Sequence, residues 1–126
     1  ISERSQNRQW SSGHKNFHKH IELACAQSRQ LICPSLQDPI HLEHLDSLEL
    51  EQIIVACWQT EQKTLPKQRP PLSGKIGLIV GPEGGWSQTD QNILQKAYHL
   101  NLSSNILRAE TAAIVLCGRV LSWLDT

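Results

Sequence analysis

A mostly parallel α/β sheet flanked by helices is the fold class this sequence predicts, on three observations. Residues 52–58 (Gln-Ile-Ile-Val-Ala-Cys-Trp) and 75–80 are short apolar runs without polar alternation, as in strands covered on both faces. Helix-period patterns follow these runs, near 89–97 and 110–125, and alternation of buried strands with helices indicates parallel strands. A glycine-rich bend, Gly81-Pro82-Glu83-Gly84-Gly85-Trp86-Ser87, closes the second run. Open α/β sheets place ligands at such bends, where glycine lets the backbone take positive φ and approach a bound molecule.

The 126 residues suffice for one domain with a single core. Hydrophobic residues at 39% and charged residues at 19% fit a globular chain without a disorder signature. No apolar run reaches membrane-spanning length and no signal peptide opens the chain, so no membrane partner is expected. Cys25, Cys33, Cys57 and Cys117 have apolar neighbours and no C-x-x-C spacing, which points to buried, reduced thiols and a cytoplasmic location. Around His14/His18 or His41/His44 no cysteine or carboxylate cluster completes a ligand set, so no metal is expected. Twelve basic and twelve acidic residues cancel, but Arg4, Arg8, Lys15, Lys19 and Arg29 crowd the first thirty positions, whereas 31–66 are acidic. That asymmetry suits an anionic partner at the N-terminal end, and equally a solvated helix face.

In chain order, Ile1 to Gly13 is polar and reads as irregular. From His14 to about Arg29, Phe17, Ile21, Ala24, Cys25 and Ser28 recur at helical spacing and form one inward face. Leu31-Ile32-Cys33 leads through Pro34 and Pro39 as an extended connector. His41 to Leu48 suits a short helix with Leu42, Leu45 and Leu48 inward, and the first strand follows. Thr60 to Gly74, with Pro66, Pro70 and Pro71, is a long loop into the second buried strand. Ser87-Gln88-Thr89-Asp90 matches a capping box, which makes Ser87 an N-cap and gives the next helix an inward stripe of Ile93, Leu94 and Ala97. Leu100-Asn101-Leu102 is a third strand and Ser103-Ser104-Asn105 a second polar bend. The last helix, about Glu110 to Asp125, is apolar on most sides and therefore buried on most sides, which points to a subunit interface.

The glycine bend is neither a P-loop, since no G-x-x-x-x-G-K-[ST] occurs, nor a G-x-G-x-x-G dinucleotide fingerprint. A structural turn explains Gly84-Gly85 but requires neither Pro82 nor Glu83. In the second constellation, Leu102 to Ala112, Arg108 and Glu110 sit where a strand passes into a helix. There they either meet a ligand or form an Arg–carboxylate pair that fixes the loop, and Thr111 is a candidate helix cap.

Gly81-Pro82-Glu83-Gly84-Gly85-Trp86-Ser87, followed by Ile106-Leu107-Arg108-Ala109-Glu110-Thr111-Ala112, resembles the bacterial 16S ribosomal RNA uridine-N3 methyltransferase family, of the SPOUT superfamily of trefoil-knotted methyltransferases. Ile1-Ser2-Glu3-Arg4-Ser5, and Ala26-Gln27-Ser28-Arg29 with Pro34 after it, look like upstream signatures of that family. The resemblance implies a SPOUT-type α/β trefoil knot and S-adenosyl-L-methionine bound in a pocket of three loops. Those loops would be Ala56 to Gln59, with Cys57 and Trp58; Gly81, Pro82, Glu83, Gly84 and Gly85; and Leu102 to Arg108, with Leu102, Ser103, Ile106, Leu107 and Arg108. It further implies a homodimer packed through the last helix and ribosomal RNA of the small subunit as partner. The chain departs from the family at Ser103 and Asn105, where Gly and Arg are common. Family members also carry an N-terminal RNA-binding β-barrel domain and a strand–helix–strand before the Ser-Glu-Arg segment. The expectation is therefore that residues 1–126 are the C-terminal portion of a SPOUT methyltransferase domain, with the β-barrel absent.

The chemistry expected is methyl transfer to uridine N3, with Arg108 and Glu110 as catalytic candidates. Arg108 would meet developing charge on uracil or the RNA backbone, and Glu110 would orient Arg108 or assist deprotonation. The alternatives are a SPOUT enzyme acting on another RNA site or atom, and a non-catalytic remnant that binds cofactor or RNA.

Overall fold

The computed structural model describes residues 10–57 and 69–125. They fall into two compact units, divided between Pro39 and Ile40. The first contains α1 (Trp10–Gln27) and an extended tail. The second contains a 3-10 helix (Leu42–Leu48), β1 (Gln52–Cys57), β2 (Ile76–Val80), α2 (Gln88–Ile93), β3 (Tyr98–Asn101) and α3 (Ala109–Leu124).

β1 is the middle strand of a parallel sheet in the order β2-β1-β3. Gln52 to Ala56 run level with Ile76 to Val80, and Ile54 to Cys57 level with Tyr98 to Asn101. Side chains alternate across the sheet, so Ile54 and Leu100 meet Leu116 and Val120 of α3 in the core. Ala56, Leu78, Val80, Tyr98 and Trp123 pack around this cluster. Ile54 and its neighbour Val55, on opposite faces, are both 0% exposed, so the middle strand is covered on both sides as its composition predicts. β2 is only half-buried along its length, because it has a strand on one side alone. Arg69 donates a hydrogen bond to the Trp123 carbonyl (2.6 Å), tying the approach to β2 to the end of α3.

Several elements differ from expectation. α1 includes Trp10 to Gly13, expected to be irregular, so the helical ladder outweighs the weak propensities of Ser11, Ser12 and Gly13. Its expected inward face is only partly buried: Cys25 is buried, but Phe17 is 50% exposed. Leu42–Leu48 forms 3-10 turns interrupted by a kink at His44 (φ −95°, ψ 16°), so the expected short helix is not continuous. Leu42 and Leu45 are half-buried and Leu48 is exposed, beside the left-handed Glu49 (φ 51°) that ends the helix. α2 stops at Ile93, so Leu94 is buried while Ile93 is exposed. β3 starts two residues and ends one residue earlier than predicted. Cys33, in the extended tail, and Cys117, on the side of α3 away from the sheet, are exposed where buried thiols were expected.

Candidate functional site

Because the strands are parallel, their carboxyl ends lie on one side. Ala56 is level with Val80 and Leu100, so the residues after β1, β2 and β3 leave the sheet side by side. Neighbouring strands lie roughly 5 Å apart, which puts the bends after β2 and β3 about 10 Å apart, one on each side of β1. This arrangement gathers Cys57, Gly81 to Gly85, Leu102, Ser103, Ile106, Leu107, Arg108 and Glu110 at one edge of the sheet. Trp58 lies outside the described residues.

The first bend is held at both ends. The Gly85 N–H donates to the Pro82 carbonyl (2.9 Å), and Gly85 takes φ 74°, a conformation that favours glycine. At the exit, the Ser87 hydroxyl accepts from the Asp90 N–H (3.1 Å) while the Asp90 carboxylate accepts from the Ser87 N–H (3.3 Å). Both residues are buried, so the box predicted from S-x-x-D forms and anchors α2. Gln91 donates to the Trp86 carbonyl (3.2 Å). At Gly81 the close neighbour belongs to the protein itself: a methyl group there would meet the Trp86 indole at 3.0 Å. Gly81 thus makes room for Trp86, a role the sequence reading did not give it, whereas Glu83, Gly84 and Gly85 are exposed along the bend.

The second bend is braced by its own polar side chains. Asn101 accepts from the Ser103 N–H (3.2 Å), and the Ser103 hydroxyl accepts from the Asn105 N–H (3.1 Å). Asn101 was not singled out from sequence, although Asn and Ser two residues before a free N–H are the signature of such side-chain turns. Leu102, Ser103 and Leu107 are half-buried, and Ile106 is 68% exposed. Arg108 is extended (φ −63°, ψ 153°) and is itself the N-cap of α3, its carbonyl accepting from the Ala112 N–H (2.8 Å). Thr111 therefore lies inside the helix and is not its cap. Neither Arg108 nor Glu110 makes an ion pair with another described residue, so an Arg–carboxylate clamp does not form there. Both side chains are exposed, and Glu110 stands in the first turn of α3, where a carboxylate is favoured.

Cys57 closes the middle strand, half-buried, and burial pushes its thiol pKa up. It gives the edge a neutral, weakly polar floor beneath exposed backbone and the apolar Leu102, Ile106 and Leu107. Such a surface suits a flat heteroaromatic ring held by main-chain hydrogen bonds. Among the described residues no three His, Cys, Asp or Glu side chains gather as a metal site. No helix among them is long and apolar enough to cross a membrane. An open groove of about 780 Å³ lies at the opposite, amino-terminal end of the strands, by Glu51, Gln52, Pro71 and Tyr98. It lacks the glycine bend and the Arg108–Glu110 junction, so the carboxyl edge is the stronger candidate.

Comparison with known proteins bears on the family of the chain. Residues 1–121 match the family model for the RNA methyltransferase domain. Over 107 residues the chain is 31% identical to ribosomal RNA small subunit methyltransferase E of Rickettsia conorii, covering 81% of this chain and 44% of that protein. A protein from Legionella pneumophila described as a methyltransferase, solved with bound SAM, superposes with a TM-score of 0.79 at 24% identity, over 97% of this chain and 52% of its own. A ribosomal RNA small subunit methyltransferase E from Neisseria gonorrhoeae, bound to S-adenosyl methionine, gives 0.66 at 28% identity, over 96% and 53%. The chain thus spans about half the length of these relatives.

Proposed function

We propose, from the premise that this chain belongs to the RNA methyltransferase domain family, that its carboxyl sheet edge binds S-adenosyl-L-methionine for methylation of a uridine N3 in small-subunit ribosomal RNA. The observation that carries the reading is the alignment of three strand ends, which sets the glycine bend and the Leu102–Arg108 bend on either side of Cys57. In this reading Gly81 to Gly85 supply main-chain groups, and Leu102, Ile106 and Leu107 with Cys57 supply apolar contact. The names of the Legionella and Neisseria structures, each solved with that cofactor, support the same choice.

When bound, the cofactor supplies an electrophilic methyl group on a sulfonium. Uridine N3 carries a proton at neutral pH, so the chain must help remove it or stabilise the resulting anion. Arg108, exposed and unpaired with any described carboxylate, is suited to that charge; Glu110, two residues on, is suited to orient it or take the proton. Arg108→Ala and Glu110→Ala are each expected to lower turnover by on the order of 100-fold, a magnitude typical of losing one charge-stabilising group. Variants that keep both cofactor affinity and full rate would remove these roles.

The exposed apolar face of α3, with Ile114, Leu121 and Leu124, supports a homodimer through that helix. Cofactor titration by calorimetry tests the pocket. Incubation with small ribosomal subunits, then mass mapping of the modified nucleoside, tests the substrate. A second reading, the same chemistry at another RNA site or atom, draws on Ser103 and Asn105, which build a self-braced bend where the resembled family commonly has Gly and Arg. The nucleoside map distinguishes the two.

A further inference from the structure

A side chain joins the two ends of the glycine bend. Gly81 follows Val80, the last residue of β2, and Trp86 precedes Ser87, the N-cap of α2. A carbon placed on the Gly81 Cα would stand 3.0 Å from Cε2 and Nε1 of the Trp86 indole and 3.2 Å from Cζ2. Ordinary carbon contacts lie at about 3.5–4.0 Å, so the ring rests against the Gly81 backbone where only glycine admits it. Trp86 is fixed from the other side too. Its carbonyl accepts from the Gln91 side chain (3.2 Å), and the buried Ser87–Asp90 box holds the residue after it. Between these ends the Gly85 N–H closes a turn on the Pro82 carbonyl (2.9 Å), and Glu83, Gly84 and Gly85 are exposed. The half-buried indole thus closes a ring: strand end, turn, and return to the strand end.

We propose that Trp86 is a positioning residue for the methyl donor: its indole holds the Gly81–Gly85 main chain in the binding shape before the cofactor arrives. The role rests on the reading that this bend binds S-adenosyl-L-methionine. Glycine has more backbone freedom to lose than any other residue. Where a glycine-rich segment orders only on binding, that loss weakens affinity, and a segment ordered beforehand avoids it. Three exits from order are closed here. The turn fixes Pro82 to Gly85, the capping box fixes the chain beyond Trp86, and the indole fixes Gly81. Only the last contact spans the whole bend. It is made by ring atoms against backbone, so its requirement is a flat ring at this place. Trp86 therefore acts through the bend and governs how tightly the cofactor is held.

The test titrates S-adenosyl-L-homocysteine, the demethylated cofactor, into wild-type, Trp86→Phe and Trp86→Ala protein by calorimetry, each below its own melting transition. Trp86→Ala is expected to bind about 10-fold more weakly, the cost of ordering roughly one further residue, and Trp86→Phe within about threefold of wild type. Gly81→Ala, which displaces the ring, should weaken binding alone yet add little in the Trp86→Ala background. In proton–nitrogen spectra the indole signal missing from Trp86→Phe belongs to Trp86. It should move as the ligand binds, while that of Trp123, at the end of α3, stays in place. Trp86→Ala that binds as tightly as wild type, or Trp86→Phe as weak as Trp86→Ala, overturns the positioning role and leaves the cofactor site standing. Wild-type protein that binds no S-adenosyl-L-homocysteine removes the site reading, and this role with it.

Discussion

Trp86 lies so close over Gly81 that an added methyl group would touch its indole at 3.0 Å. Gly81→Ala is therefore expected to displace Trp86 and cost about 1–3 kcal/mol, the range for overpacking. In a Trp86→Leu background the same substitution should cost much less; equal melting-temperature losses in both backgrounds would place the clash elsewhere. Cys57 gives a second expectation. Its thiol is raised in the folded chain, so the unfolded chain releases that proton first. The associated stability is present below the unfolded pKa and is lost as pH rises towards the folded one, and Cys57→Ala should flatten that alkaline decline in denaturant titrations. Much of the candidate site was legible at this scale, because Gly, Pro and Ser-x-x-Asp carry local backbone instructions. Trp86 over Gly81 and Asn101 beneath Ser103 were not, since these contacts appear only once the bends close.

The capping box decides how firmly the first bend meets α2, a helix of only six residues. Ser87→Ala removes the acceptor for the Asp90 N–H and is expected to cost about 1 kcal/mol. Hydrogen exchange should then quicken at Gly84 to Ser87; unchanged protection there would mean that the bend holds without its cap. Among the elements, the strand runs and this cap were readable because each depends on near neighbours in sequence. The helical state of Trp10 to Gly13, the earlier limits of β3 and the end of α2 were not. Their limits depend on pairing with β1 or on a continuing ladder, and terminal positions carry weak propensities. The long apolar α3 was expected to need a subunit interface for its full burial, and within this chain the sheet covers only the face of Ala112, Leu116 and Val120. Leu116, 0% exposed at the centre of that face, should cost about 2–5 kcal/mol on truncation to Ala, read as a shift in the denaturation midpoint.

For the molecule as a whole, the uncovered half of α3 sets the last expectation. Ile114, Leu121 and Leu124 are 74%, 57% and 55% exposed, and Gly118 leaves open space around a would-be Cβ. Glycine within a helix costs about 0.5–1 kcal/mol relative to alanine, so on a free face Gly118→Ala should simply stabilise the chain. In the homodimer we propose, the same methyl group stands between two closely approaching helices and opposes association. A stable interface buries about 1,200–2,000 Å² in total, more than these three side chains supply alone, so association depends on close contact along the whole helix face. Dimer stability also depends on protein concentration, whereas monomer stability does not. Wild-type protein is expected to sediment as a dimer and to melt higher when concentrated. Leu121→Glu should sediment as a monomer with a concentration-independent melting temperature, and Gly118→Ala should dissociate more readily while its monomer melts higher than that of Leu121→Glu. Wild-type protein that stays monomeric at all accessible concentrations, with Gly118→Ala only stabilising, would mean that α3 meets no second copy.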